Sequence, residues 1–243
     1  MQIKTTLNYS PNFNPIKRPI KKIKFLIFHY TGMKKESDAI NRLTDIQSEV
    51  GSHYLIKYNG EIVLMVPNSY IAWHAGRSSW GSYRSINKNS IGIEISNPGH
   101  NFNYKNFSKK QIISLLKLSK FLIKKYKINP KNILGHSDIA PERKKDPGEK
   151  FPWKILANEK LAKWHNLDEK KIKTYRSKKL NKIQEKTLIK NIYFLGYNKI
   201  RNFDDKSNKK LLLIAFQRRF RQGLINGKFD LECLIISKNL LKY

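Results

Sequence analysis

The chain has 243 residues, with 49 Lys+Arg against 18 Asp+Glu and a formal net charge of +31. That length suffices for one domain with a real core and a second small one, and the lone Cys233 excludes an internal disulfide and any cysteine-built metal cage. So positive a field favours polyanions (nucleic acid, an acidic membrane face or an anionic wall polymer) or is simply a lysine-rich solvated surface; it says nothing about fold.

Residues 1–24 are polar and carry Pro11, Pro15 and Pro19. They hold no apolar stretch of the roughly 7–15 residues that a secretory leader requires, and the first apolar run, from Phe25 to Phe28, is too short to cross a bilayer. Residues 25–32 are apolar on both faces, the pattern of a strand buried in a sheet covered by helices. His29 closes that strand at the rim of the sheet; taken alone, it reads as a satisfied core histidine ahead of a metal ligand. Residues 38–50 carry helical spacing at Ile40, Leu43, Ile46 and Val50. A hairpin follows, residues 52–58 and 61–66 about an Asn59-Gly60 turn.

Residues 69–90 show no periodicity and include Trp73-His74-Ala75-Gly76, Trp80, Tyr83 and Arg84. Such a loop is either an aromatic substrate wall or a segment pinned by buried tryptophans. His74 is a candidate ligand or substrate contact, His53 reads as structural, and His100 and His165 have no supporting context. Residues 90–97 alternate: Ile91, Ile93 and Ile95 point one way, Gly92, Glu94 and Ser96 the other. An acid placed there is predicted to be buried with a raised pKa, which suits proton transfer near neutrality; an edge strand with a wet outer face is the alternative.

Ser108 and Gln111 form a predicted capping box for a strongly amphipathic helix that stops before Asn129-Pro130. A short buried strand, residues 132–135, then leads into residues 135–148, where His136, Lys144 and Asp146 lie in a stretch broken by Pro141 and Pro147. This reads as a loop rather than a helix. Imidazole and carboxylate are both zinc ligands, and catalytic zinc takes three protein ligands and leaves a position for water, so a further ligand is expected upstream. Strands alternating with helices, with a hairpin between, predict an α/β fold with a mixed central sheet covered by helices.

The strand ending in His29, the Trp73-His74-Ala75-Gly76 loop, the Ser90-Ile91-Gly92-Ile93-Glu94 strand, and Gly135-His136-Ser137-Asp138-Ile139-Ala140-Pro141 with Lys144 and Asp146-Pro147-Gly148 together resemble the type 2 N-acetylmuramoyl-L-alanine amidases, zinc hydrolases of peptidoglycan. The likeness runs from about Lys24 to Trp153. It implies one Zn²⁺ per chain on His29, His136 and Asp146, Glu94 as the proton acceptor and donor, and Lys144 as oxyanion stabiliser. The bond cut would join the lactyl group of N-acetylmuramic acid, or its anhydro form, to L-alanine. Trp73, His74, Arg84 and Asn97 are expected substrate contacts. His53 aligns near a position that some relatives use catalytically and is given no role.

Beyond Trp153 the chain turns polar, and residues 168–179 read as a lysine-rich connector. Helices are predicted over 180–197, closing at Gly196, over 208–220, and from an Asp230 cap through Leu240. Phe194-Leu195-Gly196-Tyr197, Ala215 to Phe220 and Asn226 to Asp230 resemble the small helical peptidoglycan-binding domain often attached to wall hydrolases, with a merely stabilising helical cap as the alternative. The expected division is an N-terminal extension 1–23, a catalytic domain 24–167, a linker 168–179 and a helical domain 180–243. A zinc amidase acting on peptidoglycan or muropeptides is the favoured function, ahead of a non-catalytic wall-recognition protein and a basic nucleic-acid binder. No nucleic acid or transmembrane segment is expected, and the sequence leaves the oligomeric state open. A wall-binding domain suggests the cell envelope, periplasmic or secreted, and the want of a visible leader suggests the cytoplasm instead.

Overall fold

A computed structural model describes residues 3–198 and 206–242. Its centre is a six-stranded sheet in the order β1 (Thr6–Leu7), β5 (Ile62–Leu64), β4 (Tyr54–Ile56), β9 (Ser90–Ile95), β3 (Phe25–Tyr30), β10 (Ile133–Gly135). Only the β4/β5 hairpin is antiparallel. Two small ribbons lie outside it, β2 (Phe13–Asn14) with β6 (Ile71–Ala72) and β7 (Ser79–Trp80) with β8 (Tyr83–Arg84). The mixed α/β architecture agrees with the pattern of the sequence.

Alternation along the strands assigns the two faces. Leu26, Phe28, Ile91, Ile93, Ile95 and Ile133 pack with Leu115, Leu118 and Leu122 of α2 (Lys109–Tyr126). The Ser108–Gln111 capping box that opens α2 is formed in both directions. On the opposite face Phe25, Ile27 and Leu134 share one cluster with Leu188 and Ile192 of α6 (Lys182–Phe194), Leu212 and Phe216 of α7 (Lys206–Phe220), and Cys233 and Ile236 of α8 (Leu231–Lys242). Farther along that face Leu55 and Val63 pack with Leu43 of α1 (Glu36–Thr44). Because β9 lies between β4 and β3, Glu94 stands on a central strand rather than an edge.

Three segments depart from the expectations. The helix predicted over 38–50 ends at Thr44, since Asp45 turns extended, takes the Gln47 N–H on its side chain at 3.0 Å, and starts a separate 3₁₀ turn. His136–Ile139 is a helical turn, α3, where a loop was expected. The lysine-rich stretch 168–179 contains α5 (Glu169–Lys173), capped by Asp168, with Ile172 buried in the cluster beneath the C-terminal helices. The polar N-terminus is also folded in: the Arg18 guanidinium donates to the Asn87 and Ser90 carbonyls at 3.0 and 2.6 Å. A short helix, α4 (Trp153–Asn158), buries Trp153 and Leu156 under the α2 face. No described helix is long and apolar enough to cross a membrane.

Candidate active site

Parallel pairing of β3 with β9 and β10 sets the site. His29 is the register partner of Glu94, and Gly135 pairs with Phe28, so His136 leaves the sheet beside His29. The ten-residue excursion from His136 returns at Asp146, tied back by the Ser137 N–H donating to the Asp146 carbonyl at 2.8 Å. His29 Nδ1, His136 Nδ1 and Asp146 Oδ2 thereby form a triangle with all three edges 3.0 Å. All three residues are buried.

The protons on these groups follow from their outer neighbours. His136 Nε2 faces the Ala75 carbonyl at 3.1 Å, which can only accept, so Nε2 carries the hydrogen and Nδ1 presents a lone pair. The Ser90 hydroxyl donates to the Ile86 carbonyl at 2.8 Å and therefore accepts from His74 Nε2 at 3.0 Å. His74 Nδ1 then accepts from His29 Nε2 at 3.0 Å, which leaves His29 Nδ1 a lone pair as well. Burial first, and the neighbouring imidazoles second, keep His74 well below the ordinary histidine pKa and His29 down to about 4, so both are neutral near pH 7. Two imidazole lone pairs and a carboxylate oxygen aimed at one point repel one another unless a cation lies among them. Two nitrogens and one oxygen suit zinc, with ring N–H groups fixed from outside as metal-binding histidines require. The residues fit the ion.

Glu94 is 8% exposed, and its Oε2 has no hydrogen-bond partner. Burial, reinforced by the charge of Asp146 and opposed by that of Lys144, pushes its pKa up to about 8. Lys144 is half-buried, and its charge acts on both Glu94 and His29. A carboxyl with a free oxygen and a pKa near neutrality can take and return a proton; a nearby ammonium can stabilise a developing anion.

The residues expected to touch substrate have different surroundings. His74 lies behind His29, buried, and its ring fills the space above Gly92: a Cβ there would meet His74 Cγ at 2.4 Å. Trp73 is half-buried beside it. Asn97 is buried; its amide donates to the Lys105 carbonyl at 2.8 Å and accepts the Gly99 N–H at 3.0 Å. Arg84 is exposed and donates to the Gly81 and Tyr83 carbonyls of its own turn. His53 is fully buried, with Nδ1 accepting the Gly92 N–H at 3.0 Å. Sequence reasoning missed Arg143, which donates to the Ala75 and Arg77 carbonyls at 2.5 Å and so steadies the carbonyl that orients His136. Nothing in a single sequence marks one arginine among so many cations.

The N-acetylmuramoyl-L-alanine amidase family model matches residues 19–149. N-acetylmuramoyl-L-alanine amidase AmiD of Escherichia coli (strain K12) is 35% identical over 235 residues, 91% of this chain and 83% of that protein. The structure of E. coli AmiD with anhydro-N-acetylmuramic acid-L-Ala-D-gamma-Glu-L-Lys superposes with a TM-score of 0.79 at 34% identity, covering 91% of this chain and 89% of the other. AmpDh3 of Pseudomonas aeruginosa in complex with anhydromuramic pentapeptide gives a TM-score of 0.79 at 30% identity, covering 94% and 93%. With that coverage and a matching fold, the chain belongs to the N-acetylmuramoyl-L-alanine amidase family, hydrolases of an amide bond.

Proposed function

We propose that this chain is a zinc-dependent amidase that cuts between the lactyl group of N-acetylmuramic acid and L-alanine, with anhydro-muropeptides among its substrates. One observation carries the reading: three buried donors from two strand ends and a returning loop meet at 3.0 Å spacing with their lone pairs inward, one strand from a carboxyl that has a free oxygen. The anhydromuramyl peptides bound in the AmiD and AmpDh3 structures support the substrate class.

His29, His136 and Asp146 would hold the zinc, one per chain. When bound, zinc supplies a Lewis acid that polarises the scissile carbonyl and lowers the pKa of a bound water to roughly 7. Glu94 takes the proton of the attacking water on its free oxygen and delivers it to the leaving nitrogen of L-alanine, so the amine departs neutral. Lys144 offsets the negative charge that builds on the carbonyl oxygen. Trp73, half-buried, offers a flat apolar ring suited to the stem or sugar face.

A non-catalytic recognition protein would have no use for a buried acid with one oxygen left unpartnered, and Glu94 is one. The helical C-terminal region and the +31 charge support a place at the cell envelope, where an anionic polymer is the medium. The deciding experiment is mass spectrometry of anhydromuramyl tripeptide incubated with the protein, with and without chelator. Free tripeptide and anhydro-N-acetylmuramic acid are expected only when metal is present; intact substrate with zinc-loaded protein overturns the reading.

A further inference from the structure

We propose that Tyr197 and Arg219, from the C-terminal helical region, are positioning residues for the metal ligands, acting through Asp138; this rests on the zinc reading above. Asp138 is 1% exposed and belongs to the same helical turn as His136. Its Oδ1 accepts the Tyr197 hydroxyl at 2.6 Å, and its Oδ2 accepts the Gly135 N–H and an Arg219 N–H, each at 2.7 Å. The second arm of Arg219 donates to the Ile133 carbonyl on β10 at 2.9 Å, and its guanidinium lies 3.9 Å from the Trp153 ring centroid.

Neighbouring residues extend the hold to the other ligand. Gln222 donates to the Phe151 carbonyl at 2.7 Å, and Arg218 lies 3.8 Å from Glu149. The end of α7 thus grips the chain before His136 and after Asp146, while the Ser137 N–H joins the two ligand stems. The turn itself has only four residues, too few to be stable alone.

The chemistry of the contact argues for placement over simple cohesion. An ion pair this deeply buried, with Arg219 2% exposed, gives no dependable gain over apolar packing, because desolvating both charges consumes most of their attraction. A charged fork does supply direction: it fixes Asp138 relative to β10 to within a hydrogen-bond length, and His136 with it. Tyr197 and Arg219 are both buried, with their polar ends turned inward onto the ligand loop.

The test measures zinc affinity of the full-length protein by competition with a chromophoric chelator, well below the melting temperature of each metal-free variant. Tyr197→Phe removes one hydroxyl and keeps the ring packed 4.8 Å from Trp80; Arg219→Lys keeps the charge and loses the fork. Each is expected to weaken zinc binding about tenfold, the lower end of what partners beyond the ligands contribute, while Ile183→Ser on the exposed side of α6 leaves it unchanged. Zinc affinity within twofold of wild type in both variants, accompanied by lower melting temperatures, overturns the proposal and makes the region a stabilising cap. Should Arg219→Lys fail to fold, Tyr197→Phe decides alone. A wild-type protein that binds no zinc overturns the underlying metal reading instead, which separates the two failures.

Discussion

His29 and Glu94 stand opposite each other on adjacent parallel strands, so one rung of the sheet carries both a proposed zinc ligand and the proposed proton-transfer group. Their separation is set by strand pairing rather than by flexible loops. Glu94→Gln should therefore keep zinc and fold but lose about 10²–10⁴ in kcat, the usual contribution of a positioned acid–base group. Zinc content and turnover of anhydromuramyl tripeptide, measured on the same preparation, check this; near-wild-type turnover would remove Glu94 from the mechanism.

The same residue makes a stability prediction. Its folded pKa, about 8, lies above the ordinary 4.5, so the folded state holds a proton that the unfolded chain has released. Stability from this group is present below pH 4.5 and is lost as pH rises toward 8. Metal-free Glu94→Gln, which has no charge to bury, should be more stable than metal-free wild type at pH 8, with the gap shrinking toward pH 4.5. Urea titrations at both pH values decide it, and a gap independent of pH contradicts it.

His53 gives the opposite sign. Burial, and then the charge of Arg18, lowers its pKa from 6.5 to about 3, so its stabilising contribution is full above 6.5 and is lost as pH falls toward 3. In metal-free protein, His29 titrates in an overlapping window, down to about 4. His53→Gln should flatten the acid limb of the urea-stability curve by about one proton; an unchanged slope would mean that His53 is not buried as a neutral ring.

Gly92→Ala tests the support behind His29. The added methyl collides with the His74 ring, whose Nδ1 accepts the His29 N–H, so zinc affinity should fall about 10–100-fold. Chelator competition reads it directly. Retained affinity would show that His29 holds its tautomer unaided.

Removing zinc should lower the melting temperature, because an ion that binds only the folded chain stabilises it by mass action, by about 4 kcal/mol at a thousandfold excess over Kd. Calorimetry with chelator and after zinc readdition measures the shift. Identical melting curves would contradict a site formed by these three ligands.

Much of this was legible in the residues. The doubly apolar run ending in His29, the isoleucine alternation around Glu94 and the Ser108–Gln111 box are local patterns, and each became the element it suggested. What escaped depends on partners far away in the chain. The His136 turn has no periodicity of its own and is held by Tyr197 and Arg219, 59 and 81 positions from Asp138. The role of His74 is set by His29, 45 positions away. Thr6–Leu7 is too short to show a strand period, and the lysines around Ile172 hide the one side chain that anchors α5.

One cluster of side chains closes both the sheet and the C-terminal helices. A module hung on a slack tether would let an enzyme sweep many bonds from one anchoring point. Here a polymer strand seated on those helices would lie at a fixed bearing from the proposed zinc site, so the distance from grip to cut would be a constant of the fold, and spacing along the glycan would decide which stems are reached.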